Sequence, residues 1–417
     1  MSRHPADLEL LEKAEHFDIR KVDHAFLDDP YPVYRTLREN HPVHLTSDGL
    51  IFLTRHKDLV HVYQDHKSFS SDKKFEFGQK YGESHLLRHH TTSLVFNDPP
   101  LHVRVRRRIM PAFTPRSLSI LEGRFGLLVE KLLDEAEDRG SMDVVTEFAS
   151  ALPVQIIGDM LGIPVAERGP LRDWSLAILG ALEPVITKEA EDWGNNSVQE
   201  FSDYLKDHLG RFRAGKIDPE LGEVLALLLE NKDELASLSD EEMIQNCIFL
   251  LNAGHETTTN LIGNGIDCLL RFPDQREKLQ RRPELLKSSI EEMLRFESSN
   301  QLGNRRATID TEIGGVKVAA GSLVTLGIGA ANRDPEVFDD PETFQVDRTP
   351  NKHLAFGSGI HTCAGLSLAR IEGRLAIGGL IRRFPNFDKS NQAATRGGRA
   401  RFRGYLSYPI ELGQAAL

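Results

Sequence analysis

The chain has 417 residues, 40% of them hydrophobic, with 51 Lys and Arg against 62 Asp and Glu for a formal net charge of −11. That hydrophobic fraction supports one large core or two fused ones, and the acidic balance argues against nucleic-acid binding and confines any basic surface to a local patch. Three cysteines, Cys247, Cys268 and Cys363, are too few for a disulfide framework, so a reducing, cytoplasmic setting is expected.

The N-terminal stretch MSRHPADLELLEKAEHFDIR is charged and holds no apolar run of signal-peptide or membrane-anchor length, so a soluble protein that engages no membrane is expected. Apolar residues three and four apart predict amphipathic helices over DPYPVYRTLREN, RHKDLVHVYQDH, LHVRVRRRIMPAF and LSILEGRFGLLVEKLLDEAEDR. The longest helix is predicted from about Asp240 to Leu270, opened by Ser239-Asp240-Glu241-Glu242 as cap and acidic first turn and closed before Phe272-Pro273. A helix after Pro283, ELLKSSIEEMLRFE, leads into TIDTEIGGVKVAAGSLVTLGIG, whose β-branched runs between glycine turns predict a small sheet.

Residues 332–359 are rich in Asp, Pro and Gly and form a loop long enough that it should be functional or anchored. A last helix over about Ala364 to Phe384 and a strand-like ending, RGYLSYPIEL, follow. With no repeat, low-complexity tract or linker, a single domain over 1–417 is expected, mainly α with small β-sheets.

The segment Phe356-Gly357-Ser358-Gly359-Ile360-His361-Thr362-Cys363-Ala364-Gly365 sets a cysteine between a glycine-rich loop and a helix start. Free N–H groups and the positive dipole end at a helix N-terminus lower a thiol's pKa, and glycines let backbone amides approach the sulfur. A lone cysteine there is more often an inert buried thiol. The whole pattern Phe-Gly-x-Gly-x-His-x-Cys-x-Gly, however, resembles the haem-binding loop of the cytochrome P450 family. The resemblance implies a prism-shaped fold with haem b between the long central helix and the helix after the cysteine. It further implies Cys363 as the axial iron ligand, His361 as a propionate contact, Phe356 beside the sulfur and Gly365 within the haem-contacting loop.

Within the long helix, LLNAGHETTTN resembles the oxygen-binding segment of the same family. Ala253, Glu256 and Thr257 are three and four apart, so they share a helix face, and the Thr257 hydroxyl can bond back to the Ala253 carbonyl. Small residues at Ala253 and Gly254 would leave room for dioxygen, and Thr257 with Glu256 forms a plausible relay for the protons that O–O scission requires, drawn from solvent. Standing alone, such a polar cluster would as readily be a solvated face, but apolar flanks favour burial.

Glu292 and Arg295 in EEMLR, with Arg348, resemble the family's salt-bridged triad and are assigned to positioning the cysteine loop. His102 and Arg106, four apart on one helical face, and Arg305 resemble propionate contacts; Arg305 is preferred to its neighbour Arg306 on its spacing to Gly315. Arg104, Arg107 and Arg108 form a local basic patch, expected to receive a separate ferredoxin or flavodoxin.

No nucleotide-binding fingerprint or ferredoxin-like cysteine cluster is present, so electrons from NAD(P)H should arrive indirectly through that partner and its reductase, O2 being the co-substrate. By resemblance, a small-molecule substrate meets the loop from Phe75 to Leu94, Phe249 and Asn252, residues 300–303 and residues 403–406. Asn252 and Asn300 suggest a polar group on that molecule. The expected activity is monooxygenation by a monomeric enzyme. A peroxide-driven oxygenase, disfavoured by the Glu256/Thr257 pair, and a non-enzymatic haem sensor or carrier are the competing readings.

Overall fold

The computed structural model describes residues 5–218, 221–229 and 237–415, which form two compact units. The first comprises the described residues of Met1–Ser71, Asn264–Cys363 and Arg396–Tyr405, and the second those of Asp72–Gly263, Ala364–Thr395 and Leu406–Leu417.

The first unit is built on a five-stranded sheet in the order Val43–Leu45, Ile51–Leu53, Leu323–Gly327, Leu302–Ala307, Phe69–Ser70. Ile51–Leu53 runs parallel to Leu323–Gly327, and the other neighbours are antiparallel. Ile51, Leu53, Val324, Leu326 and Phe69 are almost wholly buried and pack with Leu59 and Val62 of the helix His56–Gln64. The predicted sheet region is thus present and gains strands from the N-terminal part of the chain. Thr311–Ile313 and Val316–Val318 form a hairpin through Gly314 and Gly315, whose φ values of 57° and 87° suit a tight turn that L side chains resist.

The second unit is largely helical. The predicted helices Leu101–Ile109 and Pro115–Glu137 are joined by Ala151–Leu161, Leu171–Gly180, Lys188–Arg213, Glu223–Leu229 and Leu366–Arg383. The run Val144–Leu161 is apolar and long enough to cross a bilayer, yet 72% of it is buried inside the fold, where it packs as core. Residues 75–94, expected as a loop, instead carry the helices Lys74–Tyr81 and His85–Thr92. Gly82, at φ 58°, ends the first, and Ser84 Oγ caps the second by accepting from Leu87 N at 3.2 Å.

The longest helix spans Asp240–Arg271, with residues up to Gly263 in the second unit and the rest in the first. Its start is the predicted one: Ser239 Oγ accepts from Glu242 N at 3.1 Å and Glu242 Oε2 accepts from Ser239 N at 2.9 Å, a reciprocal capping box.

Candidate functional site

The cysteine loop lies in the first unit and is held mainly by backbone contacts. Cys363 N donates to Phe356 O at 2.9 Å, Gly357 N to Leu354 O at 2.8 Å, and Thr362 Oγ1 to Gly359 O at 2.8 Å. Gly357 and Gly359 adopt φ values of 66° and 70°, and a Cβ at Gly359 would collide with the Tyr63 carbonyl. Two left-handed residues bend the chain back so that Cys363 is half-buried three residues before the helix Leu366–Arg383. Cys247 and Cys268, by contrast, are sealed in the core, and burial pushes the Cys247 thiol up to about 12 and that of Cys268 higher still.

Glu292, Arg295 and Arg348 form the predicted triad. Arg295 Nε and Nη2 donate to Glu292 at 2.7 and 2.8 Å, and Arg348 Nε reaches both carboxylate oxygens at 3.1 Å. Asn351 Nδ2 adds a contact to Glu292 at 3.1 Å, and Leu354 N donates to Asn332 Oδ1 at 2.7 Å, so the long loop is anchored just before Phe356. Desolvated charges of this kind are worth most as geometric fixtures.

Arg305 is buried on its strand and lies 5.2 Å from the Tyr63 ring, whereas Arg306 points outward and donates to Gly321 O at 2.9 Å. Strand alternation thereby sets the two arginines on opposite faces. Tyr63, which touches both this arginine and the cysteine loop, escapes sequence reasoning, because nothing in RHKDLVHVYQDH distinguishes it from an ordinary core aromatic.

The second unit carries the other predicted site residues. Thr257 Oγ1 donates to Ala253 O at 2.7 Å, the bond expected from the spacing. Ala253 is exposed and Thr257 half-buried in a helix whose neighbouring residues are mostly buried, while Glu256 is 6% exposed. Gly254 packs closely against the helix Ala151–Leu161: a Cβ there would lie 2.7 Å from Ile157 Cδ1.

His102 is buried and Arg106 half-buried on the same face of Leu101–Ile109, and Gly365 precedes the cysteine helix. Arg104 drops out of the expected basic patch, because its guanidinium pairs with Glu242 in the acidic first turn of the long helix. Arg107 remains exposed, with Val103 and Met110 also exposed beside it.

A buried polar group around Asn252 was not foreseen in full. Asn252 Nδ2 contacts His89 Nε2 at 3.4 Å, and His89 Nδ1 contacts Gln245 Oε1 at 3.0 Å. Glu372, on the cysteine helix, accepts from Thr258 Oγ1 at 3.1 Å, and burial pushes its carboxyl up to about 8. No local spacing links these partners.

Comparison with known proteins converges on one family. The cytochrome P450 family model matches residues 33–393. The chain is 34% identical over 368 residues to the biotin biosynthesis cytochrome P450 of Bacillus subtilis, covering 87% of this chain and 91% of that one. It is 36% identical over 360 residues to the vitamin D(3) 25-hydroxylase of Pseudonocardia autotrophica, covering 85% and 86%. Among solved structures, P450BioI in complex with a hexadec-9Z-enoic acid ligated acyl carrier protein matches with a TM-score of 0.87 and 32% identity, over 94% of this chain and 100% of that one. With the thiol loop, its triad and the Thr257 bond in place, the chain belongs to the cytochrome P450 family and is a haem-thiolate monooxygenase.

Proposed function

We propose that this enzyme inserts one atom of dioxygen into a small organic substrate, releasing the other as water, with Cys363 holding the iron and Thr257 with Glu256 handling protons. The bond from Thr257 Oγ1 to Ala253 O carries this reading. It fixes a hydroxyl on the exposed strip of a mostly buried helix, where a proton can be handed to an oxygen species.

Haem b fits the residues present. Cys363 is the one half-buried thiol of the three, and the helix that begins at Leu366 favours its thiolate form. Arg305 and His361 in the first unit, and His102 and Arg106 in the second, are each of the cationic and hydrogen-bonding types that a propionate requires. Phe356, Ala253 and Gly365 would supply apolar contact and close backbone approach. When bound, haem supplies the redox chemistry of oxygen activation. Glu256 would hold a proton and pass it to Thr257 Oγ1; at 6% exposure it would be recharged through buried groups or water.

Electrons would originate in NAD(P)H and arrive from a ferredoxin or flavodoxin with its reductase, Arg107 and its apolar neighbours forming the docking face. We place the enzyme in the cytoplasm as a monomer, and the family match across both units supports treating 1–417 as one catalytic domain. Asn252 would contact a polar group of the substrate. Asn300 fits that role less well, because its Oδ1 already accepts from Leu302 N at 3.4 Å.

The reduced, CO-treated protein should absorb at the long wavelength of haem-thiolate proteins, and Cys363→Ser should abolish that band; an ordinary haem spectrum in the parent would remove the cysteine assignment. Thr257→Ala should uncouple electron use from product formation, and full coupling would contradict the proton relay. Substrate-dependent oxygen consumption with a surrogate ferredoxin separates this reading from a sensor or carrier.

A further inference from the structure

Asn252 ends a buried hydrogen-bond chain whose polarity is fixed at its other end. Glu241 Oε1 contacts Gln245 Nε2 at 3.1 Å. A carboxylate offers only acceptors, so Gln245 turns its NH2 group towards Glu241 and its carbonyl oxygen the other way. The second Gln245 proton faces Ser202 Oγ at 3.4 Å.

Gln245 Oε1 then faces His89 Nδ1 at 3.0 Å, and that nitrogen must carry the ring proton. Burial lowers the His89 pKa to about 4, so the ring is neutral at pH 7 and Nε2 is a bare acceptor. Asn252 Nδ2 donates to it at 3.4 Å. The remaining atom, Asn252 Oδ1, is buried and meets no hydrogen-bond donor among the described residues.

The side chains of Gln245, His89 and Asn252 are each at most 3% exposed, so water does not compete freely for these groups. Rotating the Asn252 amide would set its oxygen against the bare His89 Nε2, lone pair against lone pair. The amide is therefore locked with its carbonyl oxygen outward from the chain. The next residue, Ala253, belongs to the exposed strip that Thr257 shares.

We propose that Asn252 Oδ1 is a specificity-determining acceptor, so that the substrate of this enzyme presents an O–H or N–H donor at that point. The proposal rests on the monooxygenase reading with Asn252 at the substrate site. His89 and Gln245 are positioning residues that act through the orientation of one amide. A substrate offering only an ether or carbonyl oxygen there meets an acceptor with an acceptor, which leaves a buried polar atom unpaired.

The test uses holoenzyme and a panel of fatty, terpene and steroid alcohols, each matched with its methyl ether, titrated by calorimetry and by the haem absorption shift. The parent enzyme should bind its best alcohol roughly ten- to a hundredfold more tightly than the matched ether. Asn252→Leu should erase that preference by weakening the alcohol while sparing the ether. His89→Phe, which frees the amide to rotate, should shrink the preference ratio, a readout that a merely structural role would not move.

Failure has distinguishable forms. If Asn252→Leu alters neither ligand's affinity, Asn252 lies outside the substrate site and the underlying reading of that residue falls. If it alters both but the parent prefers ethers or ignores the difference, the site stands and the polarity assignment falls. A panel with no alcohol binder also overturns the proposal. Independently of any variant's folding, nitrogen NMR of the reduced CO complex should find His89 protonated on Nδ1; protonation on Nε2 would reverse the chain and refute it.

Discussion

Glu292 in the first unit and Asn252 in the second both belong to buried polar networks, and they differ in whether the network closes. Glu292 accepts from Arg295, Arg348, Asn351 and the backbone of Gln345, while the two guanidinium groups also donate to the carbonyls of Asn332, Pro341, Thr343, Asp339 and Asp340. The Asn252 network runs through His89 and Gln245 and stops at one open acceptor. In a low-dielectric interior a closed network behaves as a rigid joint, whereas an open one is costly until something completes it. The first therefore holds backbone in place beneath the cysteine loop, and the second marks where a ligand finishes the structure.

Breaking the closed network should have the largest effect. Glu292→Gln leaves Arg295 and Arg348 buried without a counter-charge, with an expected destabilisation of about 3–5 kcal/mol and loss of haem retention. A variant with parental thermal stability and full haem content would deny the triad its anchoring role. Gln245→Ala should be milder, about 1–3 kcal/mol by chemical denaturation, because it strands the His89 Nδ1 proton without removing a charge.

Glu372 tests whether pairing or burial governs a carboxyl's charge, since among the described residues Thr258 is its one hydrogen-bond donor where Glu292 has several. With its pKa pushed up from 4.5 to about 8, the folded state holds a proton that the unfolded state releases between those values. Its contribution is fully stabilising below pH 4.5 and is lost as pH rises through 8. Glu372→Gln should therefore raise Tm at pH 8 by about 1–3 °C and leave it nearly unchanged at pH 4. An equal shift at both values would mean that the carboxyl does not titrate in this window.

The smallest stability effect belongs to Asn252→Leu, about 1 kcal/mol or less, since one unpaired oxygen disappears as another contact is lost. Its consequence should fall on ligand preference instead. Strong destabilisation without any change in binding would erase the contrast with Glu292.

Local patterns carried much of this molecule. The capping box at Ser239 and the back-bond of Thr257 to Ala253 involve residues at most four apart, and the left-handed glycines lie within six residues of Cys363, so a helix or a turn suffices to bring them together. The ten-residue thiol pattern did the same for the family. The alternation of Arg305 and Arg306 also followed from strand geometry once the strand was in place.

Contacts between distant segments were decided by tertiary structure. His89 meets Asn252 across 163 residues, Thr258 meets Glu372 across 114, and Arg104 finds Glu242 across 138. Gly254 packs against Ile157 of a helix distant in sequence. Sequence alone thus determined the family, the reaction and the residues of each local motif, because short-range geometry follows from backbone periodicity. Which buried amide is left with an open acceptor, and hence what the substrate must offer, depended on helices packed far apart in sequence, for which no local period exists.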